Sequence, residues 1–139
     1  MVDNDTYFID GIKGYVENRW YGYVQDMETE VIPIGNMSYE VNICIPIKCN
    51  SEHVDDIVIS MEFRDIVDVT EDYPEEDDDY YSVIIIVNSC TFPKLSTIDT
   101  SDIYHFSEQT ERVYNLMCNI YHDLPARETD RTEFYVSNY

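Results

Sequence analysis

Lysine and arginine are scarce in this chain. It holds 8 of them against 29 aspartates and glutamates, which gives a formal net charge of −21 at pH 7. Binding to DNA or RNA depends chiefly on basic side chains that neutralise phosphates, and so does adsorption to an anionic membrane surface. The composition therefore argues against nucleic acid and membrane as direct partners. It leaves a basic partner, bound cations or plain solubility as reasons for the charge.

Long apolar runs and glycine are also in short supply. The longest purely aliphatic stretch, Val83–Val87, is far shorter than the roughly 20 residues of a membrane-spanning helix. The acidic stretch Met1–Asp5 lacks the basic and apolar regions of a secretory signal, so we expect a cytoplasmic protein. With 4 glycines, the chain has no glycine-rich loop that could bind phosphate.

The chain nevertheless has the apolar content of a folded protein. Hydrophobic residues make up 44% of it and aromatic residues 14%. Disorder requires low hydrophobicity together with high charge, and only the second condition holds here. We therefore expect a single domain that covers residues 1–139.

Alternating hydrophobicity predicts a β-hairpin in the middle of the chain. Apolar residues recur at every second position from Tyr39 to Ile47, and again from Ile57 to Phe63. The polar stretch Asn50–Glu52 separates the two runs, as a turn between antiparallel strands would. Pro46 indicates a strand end or a sheet edge, because proline cannot donate a ladder hydrogen bond.

Four further segments have the composition of strands. Tyr81–Val87 is apolar on both faces, which is typical of a central strand. Thr132–Ser137 is a candidate closing strand. In the first quarter, Tyr7–Ile9 and Trp20–Val24 are short β-prone runs beside Gly11, Gly14 and Gly22, and we interpret them as strands separated by turns.

One segment has helical periodicity. Apolar residues at i, i+3, i+4, i+7 and i+8 share a helix face, and here they are Val113, Leu116, Met117, Ile120 and Tyr121. Ser107 is a candidate N-cap, with Thr100 or Ser101 as rival starts, and Pro125 marks the end. The predicted fold is therefore α+β, with a mainly antiparallel sheet of about 5–6 strands and one long amphipathic helix in the C-terminal half.

More than half of the net charge lies in one segment. From Glu52 to Asp79 there are 13 acids and one arginine, Arg64. We place an acidic loop at about residues 65–80. The predicted partner-binding residues all belong to it: Asp65, Asp68, Glu71, Asp72, Tyr73, Glu75, Glu76, Asp77, Asp78, Asp79 and Tyr80. The simpler interpretation is a solvated loop. However, crowded like charges destabilise a compact state, and binding to a partner would explain why the sequence keeps them.

A small, strongly acidic domain rich in Tyr and Asp resembles the DNA-mimic inhibitors encoded by phages and mobile elements. These include anti-CRISPR and anti-restriction proteins and inhibitors of DNA-repair enzymes. The resemblance implies a non-enzymatic inhibitor in the host cytoplasm, whose carboxylates stand in for phosphates. Its partner would be a basic nucleic-acid-binding protein, such as a CRISPR effector, a restriction enzyme, a repair enzyme or a polymerase. No motif is shared, so the role falls to the acidic cluster as a whole.

Two other functions fit the same composition. One is an immunity protein that neutralises a cognate basic toxin, and the other is an acidic structural or assembly protein. Enzymatic patterns are weak. Cys118 and His122 lie one helical turn apart, and Asp56 with Glu62-Phe63-Arg64 loosely matches a nuclease pattern that lacks its lysine. We expect no catalytic residue.

Metal-binding patterns are equally weak. Cys44 and Cys49 form the one close cysteine pair, and no histidine lies at zinc-finger spacing from them. The acidic run Asp77–Asp79 lacks the glycine and the bidentate glutamate of a calcium-binding loop. We therefore expect no metal ion and no cofactor, and we interpret the cysteines as reduced structural residues.

Overall fold

A five-stranded antiparallel sheet carries two α-helices against one of its faces. The computed structural model describes residues 4–23, 26–49, 52–92, 103–125, 127 and 129–137. The elements are α1 (Asn4–Trp20), β1 (Glu28–Gly35), β2 (Ser38–Cys49), β3 (Glu52–Asp68), β4 (Asp79–Thr91), α2 (Ile103–Asp123) and β5 (Thr132–Val136). The strands lie side by side in chain order. The predicted α+β class and antiparallel sheet are confirmed, but the described part of the chain has two helices where one was predicted.

The predicted hairpin is the centre of the sheet. β2 and β3 pair antiparallel with Tyr39 opposite Phe63, and the buried aliphatic side chains between them follow the same alternation. Pro46 lies beyond the last pair of β2 with β1, which joins Cys44 to Glu28. There the side-chain amide of Gln109, on α2, donates to the Pro46 carbonyl at 3.4 Å. Proline is therefore tolerated because it lies where β2 has no neighbouring strand on that side.

Two bulges interrupt the pairing of β3 with β4. The register shifts between Ser60 and Met61, where β4 has the extra residue, and again between Arg64 and Val67, where β3 has it, and Asp65 has a φ of 53°. An extra residue in one strand of a pair increases the local twist and turns the strand. The second bulge is tied to the turn between β1 and β2, since the Asp65 amide donates to Ser38 Oγ at 3.2 Å. The Ile66 amide donates to the Met37 carbonyl at 3.0 Å.

The first quarter of the chain is helical, so the strands predicted at Tyr7–Ile9 and Trp20–Val24 are wrong. Residues 4–20 form α1, and residues 21–23 form a 3₁₀ turn; Val24 lies outside the described residues. The buried side chains of α1 are spaced as a helical stripe: Phe8, Ile12, Tyr15, Val16 and Trp20. Burial of this stripe outweighs the low helix propensity of Gly11 and Gly14, on which the strand prediction relied.

Helix α2 packs its apolar stripe into the same core as α1. Val113, Leu116 and Ile120 are buried, whereas Tyr121 is 60% exposed and does not belong to that stripe as predicted. The helix begins at Ile103, so Ser107 lies inside it and is not the N-cap; Thr100 and Ser101 lie outside the described residues. The helix ends before Pro125, as predicted.

Both edges of the sheet are short strands. β1 was not predicted, because only Val31 of its eight residues is fully buried and the alternation is correspondingly weak. The closing strand β5 was predicted, and it pairs antiparallel with β4. Helix α1 approaches β5 so closely that a Cβ on Gly11 would lie 2.5 Å from Val136 Cγ2.

Two contacts across the core fix the helices. The Trp20 indole, at the end of α1, donates to Asp123 Oδ2 at the end of α2 over 3.0 Å. Tyr15 packs edge-on against Phe63 of β3 and Phe134 of β5. Within the described residues, no helix combines the length and the apolar character needed to cross a membrane.

Candidate functional site

The acidic segment spans the end of one strand, a connection and the start of the next. Asp65 and Asp68 belong to β3, and Asp79 and Tyr80 begin β4. The other predicted binding residues lie in residues 69–78, which we call the acidic connection: Glu71, Asp72, Tyr73, Glu75, Glu76, Asp77 and Asp78. The strands on either side are paired to each other, since Asp68 lies opposite Tyr81.

Hydrogen bonds hold the acidic connection to the sheet. The backbone amide and the hydroxyl of Thr70 donate to Asp68 Oδ1 at 2.8 and 2.5 Å. These donors hold the pKa of the Asp68 carboxyl below its usual value, because they favour its ionised form. The Val69 amide donates to the Tyr80 carbonyl at 2.9 Å, and the Tyr80 amide donates to Thr70 Oγ1 at 3.1 Å. Hydrogen bonds therefore anchor both ends of the acidic connection, at residues 68–70 and at Tyr80.

Three tyrosines form a ladder beside the acidic connection. Tyr73 stacks on Tyr80 with ring centroids 4.2 Å apart and an angle of 21° between the planes. Tyr135 of β5 lies opposite Tyr80 in the sheet, with ring centroids 5.9 Å apart. The Tyr73 hydroxyl donates to the Glu133 carboxylate. We call Tyr73, Tyr80 and Tyr135 the tyrosine ladder; Tyr73 and Tyr80 were predicted as anchors and Tyr135 was not.

Carboxylates lie near the hydroxyls of Tyr73 and Tyr80, two members of the ladder. The hydrogen bond to Glu133 raises the pKa of Tyr73. Partial burial raises the pKa of Tyr80, and the nearby charges of Glu76 and Asp78 raise it further. A negative charge near a tyrosine disfavours its ionised form. The rings of the ladder therefore lie in a region of negative potential.

Asp79 differs from its acidic neighbours in where it points. Its Oδ2 accepts a hydrogen bond from the Tyr7 hydroxyl of α1 at 2.5 Å, and the Tyr81 hydroxyl donates to Tyr7 at 3.2 Å. Burial raises the pKa of Tyr7, and its hydrogen bond to Asp79 contributes further. Asp79 thus joins β4 to the helix layer, although the sequence grouped it with the exposed acids.

A second acidic surface lies on the face of the sheet opposite the core, which no described helix covers. Its acids occupy alternate strand positions between the buried residues: Glu28, Glu30, Glu40, Asp56 and Glu62. Glu40 and Glu62 lie directly opposite each other. We call this the acidic sheet face. The sequence prediction named none of these five as binding residues, although the alternation in β2 and β3 already placed Glu40 and Glu62 on the polar side.

The pKa of the Cys44 thiol reflects the negative charge of the acidic sheet face. Partial burial raises its pKa, and the charges of Asp56, Glu30 and Glu28 raise it further. Cysteine reacts as the thiolate, so a raised pKa makes this thiol less reactive. Three carboxylates of the acidic sheet face thus act on one sulfur atom.

Few cationic side chains offset this charge. The two ion pairs between described side chains, His53–Asp56 at 2.8 Å and His122–Asp123 at 3.5 Å, both use a histidine. The Arg131 side chain donates to Ser82 Oγ at 2.6 Å and to the Ser82 and Asp65 carbonyls. Arg19 lies 4.6 Å above the ring of Tyr15. These two arginines thus bind neutral groups.

No protein-family model, curated protein or solved structure matches this chain.

The geometry speaks against the weak catalytic patterns. Asp56 and Glu62 are six residues apart on one strand, so their Cα atoms are about 20 Å apart. Cys118 and His122 are both exposed on α2. Within the described ranges, no three His, Cys, Asp or Glu side chains are grouped so that they could hold a metal ion.

Proposed function

We propose that this chain is a non-enzymatic inhibitor whose acidic surfaces occupy the basic nucleic-acid-binding site of a target enzyme. The observation that carries the proposal is that the carboxylates stand on hydrogen-bonded backbone and that, among the described residues, few cationic side chains pair with them. The carboxylates are borne by paired strands and by a connection held by hydrogen bonds, and the described ion pairs use only histidines. A charge kept for solubility alone has no need of either property.

The density of charge on the acidic sheet face supports the proposal. Neighbouring strands are about 4.8 Å apart and residues on one face recur every 6.7 Å or so, so each outward position covers about 32 Å². Residues 28–32, 40–46 and 56–62 present eleven such positions, and five of them are acids. The result is about 70 Å² per charge, against about 110 Å² per phosphate charge on a B-DNA cylinder. A site built for duplex phosphates therefore meets a comparable charge density.

The acidic connection extends this pattern beyond the sheet. It follows β3 and precedes β4, and the tyrosine ladder borders it on the outward side of β4 and β5. A partner that contacts both surfaces would be drawn in by long-range attraction, and its association would be fast and sensitive to salt. CRISPR effectors, restriction enzymes, repair enzymes and polymerases all have basic grooves of this kind. We therefore propose that one of them is the target.

Affinity capture with matched variants tests the proposal. One variant neutralises four acids of the acidic connection, Glu71, Asp72, Glu75 and Glu76, to Gln or Asn. A control variant makes the same change at four exposed helical acids, Asp10, Glu17, Glu108 and Glu111, so that the two proteins carry equal net charge. Each immobilised protein is exposed to host lysate at low and high salt, and retained proteins are identified by mass spectrometry.

The proposal predicts that the unchanged protein and the helix variant retain a basic nucleic-acid-binding protein at low salt. The connection variant should retain it at least about tenfold less well, because four of the acids that face the partner are gone. Equal retention by both variants would contradict a role for the acidic connection. Recovery of no basic nucleic-acid-binding protein would contradict the proposed function as a whole.

A further inference from the structure

The tyrosine ladder is an exposed aromatic surface inside a negative field. Tyr135 is 53% exposed, and Tyr80 and Tyr73 are partly exposed behind it. The Glu133 carboxylate lies against the Tyr73 hydroxyl, and the charges of Glu76 and Asp78 act on Tyr80. Tyrosine beside carboxylate is an unusual surface for solubility, because each ring exposes apolar area, whereas tyrosine is enriched among the residues that anchor interfaces.

The chemistry of this surface distinguishes between the two kinds of basic side chain. A guanidinium group is planar and weakly hydrated, stacks on aromatic faces, and donates to carboxylates through a rigid fork. An ammonium group is compact and strongly hydrated, so it gains less from a ring. Flat rings adjoining a carboxylate therefore match arginine better than lysine. Glu133 has acceptor capacity beyond the bond from Tyr73, since a carboxylate offers about four lone-pair sites.

We infer that the tyrosine ladder, together with Glu133, binds an arginine side chain of the basic partner. The guanidinium stacks on an exposed ring of the ladder and donates to the Glu133 carboxylate. This inference rests on the proposed function, and it adds a preference for one basic residue at one position. Charge density alone attracts any cation, whereas the ladder selects the planar one.

Peptide binding to the whole protein tests the inference. The probes are fluorescently labelled nona-arginine and nona-lysine, which carry the same side-chain charge, and affinity is measured by fluorescence anisotropy at low salt. We expect about three- to tenfold tighter binding of nona-arginine, since a guanidinium group gains more from an aromatic face than an ammonium group does. Tyr135→Leu and Glu133→Gln should each reduce this ratio towards one. Tyr114→Leu is the matched control, because Tyr114 is 68% exposed on α2, away from the ladder.

A second measurement does not depend on the variants folding. In the unchanged protein, titration with acetyl-arginine amide should shift the ring-proton resonances of Tyr80 and Tyr135 more than titration with acetyl-lysine amide does. Equal affinity for the two peptides, or a preference that survives the ladder substitutions, would overturn the inference and leave the proposed function standing. If neither peptide binds at low salt, both the inference and the proposed function are wrong.

Discussion

Glu40 of β2 and Glu62 of β3 lie directly opposite each other on the acidic sheet face. Like charges at such positions destabilise a sheet, since their Cβ atoms are only about 5 Å apart. Their outer neighbours in the same row are Ile32 and Ile86, so no cation in that row relieves the repulsion. The repulsion between these two carboxylates therefore costs stability, and the proposed binding to a cationic partner gives a reason for keeping both.

Removing one of the two charges should stabilise the protein. We expect Glu62→Gln to raise the free energy of unfolding by about 0.2–1 kcal/mol at low salt, because the opposed pair disappears. Urea titration followed by the fluorescence of Trp20 measures the change. Glu111→Gln, at an exposed position on α2, changes the net charge equally and serves as the control. If Glu62→Gln raises the free energy of unfolding no more than the control does, the opposed pair does not destabilise the protein.

The two glycines of α1 should respond in opposite ways to alanine. A Cβ on Gly11 would lie 2.5 Å from Val136 Cγ2, whereas a Cβ on Gly14 would meet no atom within 4 Å. We therefore expect Gly11→Ala to destabilise the protein by about 1–3 kcal/mol through overpacking against β5. Gly14→Ala should stabilise it by up to about 1 kcal/mol, since alanine favours the helix. Urea titrations in which Gly11→Ala is at least as stable as the unchanged protein would refute the close packing of α1 on β5.

The Tyr7–Asp79 contact should make stability depend on alkaline pH. The pKa of Tyr7 is raised in the folded state, so its contribution is complete below the ordinary tyrosine pKa of about 10 and is lost as the pH rises above that value. Tyr7→Phe should cost about 1 kcal/mol at neutral pH, and the difference from the unchanged protein should shrink above pH 10 or so.

Unfolding curves at several pH values measure this difference. Tyr114→Phe, which removes an exposed hydroxyl on α2, should change the stability at neutral pH by less than about 0.5 kcal/mol. If the loss of unfolding free energy in Tyr7→Phe stays constant with pH, the stabilisation by the Tyr7 hydroxyl does not come from its contact with Asp79 or from its burial.

The central hairpin could be predicted from the sequence because each of its strands has one buried face. Such a strand alternates apolar and polar residues, and this alternation is visible in the sequence. The first helix could not be predicted in the same way. Its stripe, which includes Phe8, Ile12 and Val16, has helical spacing, but the β-prone residues around Gly11 dominated the local composition. Strand β1 shows almost no alternation of apolar and polar residues in the sequence, since Val31 is its one fully buried residue.

The candidate site was predictable as a segment but not as a surface. Composition located the acidic connection, and it could not show that Asp79 turns towards Tyr7 or that Tyr135 completes the ladder from 55 residues further along the chain. Both depend on pairing of β4 with its neighbours. The acidic sheet face likewise becomes visible only when the register brings Glu28 and Glu30 beside the acids of β2 and β3.

Competition with nucleic acid tests the central claim most directly. A basic protein captured at low salt is incubated with a labelled DNA duplex, and the affinity for the duplex is measured as this chain is added. If the acidic surfaces occupy the nucleic-acid site, the duplex is displaced at one equivalent of the chain, and the connection variant displaces it much less. If the partner binds the duplex and this chain at the same time, with neither weakening the other, the claim of mimicry is wrong.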